Sequence, residues 1–278
     1  MQPVKTISIL GCGWLGLPLA KLLSDLEYIV KGSTTRAERF EEIQQTGTKP
    51  YLIKAENGIW MSDTLYDFLA CDILIIAIPP GTKRNVNSTH AIEIKQLMQI
   101  LETLPVPVKQ IIYISSTSIY KNTNNILSES AIQTEADAEN KILYDAEQYV
   151  QQSNATVKII LRLAGLTGYD RMLARFFAGK TALTGGNEPV NLVHRDDVLG
   201  AIVFVLEHRM KNTVLNICSP EHPERADFYI QLCERFGLAA PHFSEEPAPW
   251  KKISSEVFTQ MGYVWKFPNP YTYTYTYQ

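Results

Sequence analysis

Residues 6–25 read TISILGCGWLGLPLAKLLSD. In this stretch Gly11, Gly13 and Gly16 stand at G-x-G-x-x-G spacing between an apolar run and an amphipathic one. TISIL (6–10) predicts a strand, and the residues after the glycines predict a helix running to about Asp25. Pro18 is tolerable there, because backbone N–H groups in a first helical turn lack internal partners. Each glycine has a physical reason. Gly11 permits a tight turn, Gly13 lets the backbone approach a pyrophosphate, and Gly16 lets helix and strand pack closely. The helix N-terminus adds N–H donors and a partial positive charge. A strand before and a helix after is the context this motif requires. The expected ligand is a dinucleotide held at Gly11, Gly13, Trp14, Leu15 and Gly16. The alternative is a glycine turn that serves only helix–strand packing.

The end of the second strand, YIVKGS (28–33), selects among dinucleotides. An NAD site usually carries Asp or Glu about 20 residues past the glycines, on the ribose 2′-hydroxyl. Here the strand runs into GSTTR (32–36), with no acid. Ser33, Thr34 and Thr35 offer hydroxyls and Arg36 offers a guanidinium, a set that suits a 2′-phosphate. NADP(H) is therefore expected in preference to NAD(H), which stays the second choice. The alternative for Arg36 is a solvated residue opening the next helix. Pro79 and Pro80, after the apolar strand DILIIAI (72–78), are candidates for the cofactor wall, and equally for a plain strand stop.

Downstream, strand-like and helical stretches alternate. Residues 36–46 look helical, PYLIKA (50–55) looks like a third strand, and DILIIAIPP (72–80) is an uninterrupted apolar strand of the kind covered on both faces. A helix follows at 88–104, with Ser88 or Thr89 as its N-cap. Then come a strand at 110–118, a helix at 136–152 and a strand at 157–166. This alternation predicts an α/β fold with a doubly wound parallel sheet. After residue 168 the pattern turns irregular, with helices at 170–178, 196–209 and 224–236 and short strands at 190–193 and 213–217. The expected organisation is a dinucleotide-binding domain over 1–168 and a smaller C-terminal substrate lobe over 169–278, with 190–217 open to interleaving with the first. The tail YTYTYTY (271–277) reads as an edge strand or a disordered end.

Composition excludes several classes. The chain has 278 residues, 45% of them hydrophobic, enough for a large core. Its 26 basic and 29 acidic residues are mixed and give a net charge of −3, so nucleic acid has no electrostatic footprint to bind. Cys12, Cys71, Cys218 and Cys233 lie far apart with no C-x-x-C pair, which suggests neither zinc nor a disulfide framework, and no metal site is expected. The longest apolar runs, 73–78 and 201–206, fall well short of the roughly 20 residues of a membrane span. The start, MQPVK, is too short for a signal peptide before TISIL. A cytoplasmic protein with reduced thiols is expected, and the sequons at Asn87 and Asn154 then carry no weight.

With the glycine turn, ISSTSIY (114–120), RLAGLTGYDR (162–171) and NLVHRDDV (191–198) occur in the order seen in one superfamily. Together they resemble the extended short-chain dehydrogenase/reductases, and more narrowly their atypical NAD(P)-dependent epimerase/dehydratase-like branch. The resemblance runs from about residue 5 to about residue 268. It implies a Rossmann domain, a substrate lobe, and nucleotide sugars or related metabolites as substrates. It places the family's serine on Ser116 and sets Ser115 on the nicotinamide side of the cofactor. It also gives Asp196 and Asp197 an N-capping role. Family dimers use the helices that fall here at 88–104 and 136–152. A homodimer through them and a monomer both stay open.

The resemblance breaks at the catalytic pair. Family members carry Y-x-x-x-K, in which a lysine one helical turn away favours the phenolate of a group whose free pKa is about 10. None of the 14 tyrosines here has lysine four residues later. Tyr144 is followed by Gln148, and the register anchored on Ala146-Glu147 puts Glu139 and Leu143 at the two positions. Tyr144 remains the candidate acid beside Ser116, with packing on the helix's buried face as its alternative. Tyr120 is a candidate pocket residue, His194 a candidate proton carrier, and Arg162, Arg171 and Arg195 candidate anion ligands. Each has a structural alternative. The expected activity is that of an NADP(H)-dependent oxidoreductase or epimerase acting on a small anionic or nucleotide-linked metabolite. The alternative is a non-catalytic dinucleotide sensor.

Overall fold

The run ILII has no polar position to leave in water, and in the computed structural model all four residues are buried. Residues 4–81, 88–208 and 210–276 are described; Asn87 of the first sequon and Tyr277 of the tail lie outside the described residues. In chain order the elements are β1 (Thr6–Leu10), α1 (Gly16–Asp25), β2 (Ile29–Thr34), α2 (Phe40–Gln44), β3 (Lys49–Leu52), β4 (Lys54–Glu56), β5 (Ile59–Met61), α3 (Leu65–Leu69), β6 (Ile73–Ile76), α4 (His90–Glu102), β7 (Gln110–Ser116), β8 (Asn125–Leu127), α5 (Lys141–Gln152), β9 (Val157–Leu163), β10 (Gly165–Thr167), α6 (Ala174–Phe177), β11 (Leu192–His194), α7 (Arg195–Glu207), β12 (Thr213–Ile217), α8 (Arg225–Arg235), β13 (Lys251–Ile253) and α9 (Glu256–Gln260). A seven-stranded parallel sheet runs in the order β12-β9-β7-β6-β1-β2-β3. It is the doubly wound Rossmann arrangement expected from the alternation.

Two compact units interleave along the chain. The first comprises Met1–Ser115, Asn140–Leu161 and Arg209–Val214; the second comprises Ser116–Glu139, Arg162–His208 and Leu215–Gln278. The first unit's core joins Leu10, Leu74 and Ile76 to Ile94, Leu97 and Leu101 of α4 and to Ala146 and Val150 of α5. The second unit's core is built on Met172, Leu192, Phe228, Leu232 and Tyr273.

Several local expectations change. PYLIKA is not one strand: β3 stops at Leu52, and Lys54–Glu56 folds back antiparallel on Ile59–Met61. The reason is Asn57-Gly58, both at positive φ (51° and 85°), the residue pair that two-residue hairpin turns favour. The helix expected from 136 starts at Lys141, because the Asn140 side chain caps the Leu143 N–H and 135–137 close a separate turn of their own. The helix over 170–178 shrinks to α6 after Gly168 and Tyr169, both at positive φ. Thr89 occupies the N-cap of α4 without a side-chain cap bond. The tail is neither an edge strand nor loose in its described part. Pro270–Thr272 form a 3₁₀ turn, and buried Tyr273 is hydrogen-bonded to Ser219 at 2.6 Å.

His90 gives the first unit a pH dependence. It is buried at the start of α4, with Nε2 2.6 Å from the Tyr113 hydroxyl. Burial pushes its pKa from 6.5 down to about 4. The unfolded chain takes up a proton near pH 6.5 that folded His90 refuses until about pH 4. Its contribution is therefore full above pH 6.5 and lost as pH falls toward 4. The melting temperature should drop across that window, and His90→Gln should flatten part of the drop. An unchanged slope in the variant would contradict this assignment.

Candidate functional site

The glycine turn is built as its spacing requires. Gly11 has φ +106°, and a Cβ there would lie 3.1 Å from the backbone of Ala77. A Cβ on Gly16 would lie 2.1 Å from the Gly11 carbonyl oxygen. Gly13 is different: among the described residues, its chain neighbours aside, nothing stands within 4 Å of its Cβ position. Leu15 occupies the N-cap of α1 with no side-chain cap bond, and the first turn holds no acid. The first turn thus brings no carboxylate of its own to the positive end of the helix, which favours an incoming anion. Trp14 is half-buried and Leu15 buried.

Beside the turn, Leu10, Gly11, Ser33, Thr34, Thr35, Ile53, Ala55, Trp60, Ile78, Pro79 and Glu93 enclose a cavity of about 230 Å³. Whole ligand pockets run roughly 300–1,000 Å³, so this cavity suits one end of a dinucleotide. The structure thus brings Gly11, Ser33, Thr34, Thr35 and Pro79 together. Ser33 is buried, and its Oγ accepts the Gly11 N–H at 2.8 Å, which ties the end of β2 to the turn. Thr34 Oγ1 accepts the Arg36 N–H at 3.2 Å. Thr35 and Arg36 are exposed beyond the strand end. Pro80 does not line the cavity; its carbonyl accepts the Ser88 hydroxyl at 2.5 Å.

Two residues here were missed by sequence reasoning. Arg39 Nη1 donates to the Cys12 carbonyl of the turn at 2.8 Å, and its Nε donates to Glu42. Trp60 stands on the β4–β5 hairpin and donates its indole N–H to the Glu93 carbonyl of α4 at 2.8 Å. The signal for Trp60 was the Asn-Gly pair two residues earlier. Cys12, inside the turn, is an inert thiol, because burial pushes its pKa up to about 12.

The catalytic candidates fall in different units. Ser116 opens the second; its Oγ accepts the Ser118 N–H at 3.1 Å and caps a 3₁₀ turn. Tyr144 lies in the first unit on the opening turn of α5. It is half-buried and flanks the buried stripe of Leu143, Ala146, Glu147 and Val150. Leu143 is fully buried and Glu139 exposed, so neither supplies the missing lysine charge.

In the second unit most polar candidates are structural. Tyr120 is buried, not pocket-lining: its hydroxyl donates to Asn216 at 2.7 Å and accepts from Arg162 at 2.8 Å, and burial pushes its pKa up to about 12. Arg162 is buried there and also reaches the Glu129 carbonyl. His194, not Asp196 or Asp197, caps α7: its Nδ1 accepts the Asp196 N–H at 3.2 Å. Burial lowers its pKa. Asp196 instead binds the Tyr169 hydroxyl and the Lys266 ammonium. Asp197 is wholly buried and accepts the backbone N–H groups of Lys266 and Phe267 at 2.7 and 3.0 Å. Arg195 lies 4.1 Å from the centre of the Tyr169 ring, and Arg171 is exposed. Among the described residues no helix is long and apolar enough to cross a membrane.

The chain is 34% identical to protein YeeZ of Escherichia coli strain K12 over 271 residues, covering 96% of this chain and 98% of that one. No family model matches it. Among solved structures, it resembles a functionally unknown conserved protein from Silicibacter pomeroyi (TM-score 0.73, 18% identity, 96% and 95% of the two chains). It also resembles UDP-glucuronic acid 4-epimerase from Bacillus cereus in complex with UDP-glucuronic acid and NAD (TM-score 0.71, 18%, 93% of each). A third is the human epimerase family protein SDR39U1 with NADPH (TM-score 0.66, 16%, 95% and 96%). At these identities the structural likenesses establish the fold.

Proposed function

This chain belongs to the family of protein YeeZ and has the fold of the epimerase/dehydratase-like short-chain dehydrogenase/reductases, and from that premise we propose that it is an NADP(H)-dependent epimerase or reductase of a small anionic or nucleotide-sugar-like metabolite. The observation that carries this reading is the cavity beside the glycine turn, which opens onto Ser33, Thr34 and Thr35 where an acid would select NAD. Of the solved structures it resembles, the Bacillus cereus epimerase is in complex with UDP-glucuronic acid and NAD, and the human protein is with NADPH. When bound, the cofactor supplies the hydride acceptor or donor. Gly13 and the N-terminus of α1 hold its pyrophosphate. Trp60, Ile53 and Pro79 wall its adenosine end, and Arg36, exposed past the end of β2, meets the 2′-phosphate. Among the described residues Ser116 Oγ only accepts, from Ser118, which leaves its hydroxyl proton for a substrate oxygen. Tyr144 is the proton donor.

Arg36→Ala should weaken NADPH binding by about tenfold, the scale of one charge-assisted contact, and leave NADH unchanged. Equal margins in variant and wild type would remove the 2′-phosphate role. Ser116→Ala and Tyr144→Phe should each lower turnover of a UDP-sugar, followed by NMR of the product, with cofactor affinity intact. Unchanged turnover in both would sink these roles.

One observation favours a second reading. Buried Leu143 and exposed Glu139 leave α5 without the usual Tyr-Lys pair, which suits a non-catalytic dinucleotide sensor. Such a sensor would bind one redox form of the cofactor far more tightly than the other and turn nothing over.

A further inference from the structure

Glu147 is the only charged residue among the four buried positions of α5, and it is 1% exposed. A carboxylate that deep is costly unless hydrogen bonds compensate it. One comes from Ser115 at the end of β7: its Oγ donates to Glu147 Oε1 at 2.6 Å, and Ser115 is itself 4% exposed. β7 pairs in parallel with β6, with Ile76 opposite Tyr113. Ser115 lies two residues past Tyr113 near the end of β7, and Ile78 lies two residues past Ile76, just beyond the end of β6. Ile78 lines the cavity at the glycine turn. Ser115 therefore stands at the carboxyl edge of the sheet, where open α/β sheets bind ligands.

A serine hydroxyl has one proton and two lone pairs. Glu147 takes the proton, so toward a ligand Ser115 can only accept. Ser116, one residue on, has the opposite disposition: its oxygen accepts from a backbone N–H and its proton is left to donate. We propose that Glu147 is a positioning residue that fixes Ser115 as an obligate acceptor for a donor group of the bound dinucleotide, a ribose hydroxyl or the carboxamide NH₂. This rests on the dinucleotide reading above. It divides the adjacent serines into one for the cofactor and one for the substrate.

The test is a double-mutant cycle on the full chain: Ser115→Ala, Glu147→Leu and the double variant, titrated with NADPH by fluorescence. Each single variant should weaken binding by about five- to tenfold, the share of one hydrogen bond, and the double should be no weaker than Ser115→Ala. A wild-type affinity in Glu147→Leu, which has no acceptor for the serine proton, would overturn the proposal. So would a loss from Glu147→Leu that is just as large in the Ser115→Ala background, since Glu147 would then act without the serine. Should Glu147→Leu fail to fold, a crystal structure of wild type with NADPH decides. A cofactor donor within 3.5 Å of Ser115 Oγ is expected, and none there would refute it. A wild type that binds no dinucleotide would instead remove the parent reading.

Discussion

Gly13→Ala should leave the apo melting temperature unchanged and weaken NADPH binding by tenfold or more. Among the described residues, its chain neighbours aside, no atom lies within 4 Å of the Cβ position at Gly13, so the added methyl meets no packed neighbour. It does occupy the face that a pyrophosphate must approach, and about 1.4 kcal/mol of lost contact is already tenfold. Gly16→Ala is the contrasting variant. Its Cβ would sit 2.1 Å from a backbone oxygen that cannot swing away, so strand and helix must part. Overpacking of this kind costs about 1–3 kcal/mol, and both melting temperature and binding should fall. Calorimetric melting and NADPH titration on the two variants separate ligand from packing. A Gly13→Ala protein with wild-type affinity would mean that no phosphate comes to this turn.

Asp197→Ala should cause the largest loss of stability in the second unit, about 3–5 kcal/mol. The carboxylate is wholly buried and holds two backbone N–H groups, those of Lys266 and Phe267, together with the Tyr263 hydroxyl at 3.2 Å. Alanine would leave the two N–H groups without this acceptor, while the Tyr263 hydroxyl keeps the carbonyl of residue 197 at 2.9 Å. Burial already raises the pKa of Asp197, so its proton affinity is higher folded than unfolded. Its ionisation therefore opposes folding as pH rises, and the hydrogen bonds offset that cost. Denaturant unfolding measures the loss; a change under 1 kcal/mol would show that the 263–267 segment is held by its aromatic contacts instead.

Periodicity carried the sheet and its order of elements, because ILII and IIYIS have no second reading once alternation with helices is counted. The glycine turn was legible because Gly11 and Gly16 answer steric needs inside the fold, while Gly13 keeps its face clear. What escaped was local chemistry that overrides period. The run YLIKA looked like one strand, yet Asn57-Gly58 folds its end into the hairpin that carries Trp60 to the cavity. Arg39 lies three residues past Arg36 in a segment read only as helix, and its contact with the Cys12 carbonyl depends on how the chain turns after β2. In the second unit, Tyr120 and Arg162 were candidates for the site by type, and Asp197 was read as an N-cap. They proved to be buried linkers between segments far apart in sequence, and spacing contains no trace of such pairings.

The central claim is that the cavity beside Gly11 and Trp60 holds a nicotinamide dinucleotide. It is tested most directly by titrating the wild-type chain with NADPH, NADP⁺, NADH and NAD⁺ while following tryptophan emission. Saturable quenching by both phosphorylated forms, tighter than by NADH and NAD⁺ and reduced in Trp60→Phe, is the predicted result. No saturable binding of any of the four would contradict the account.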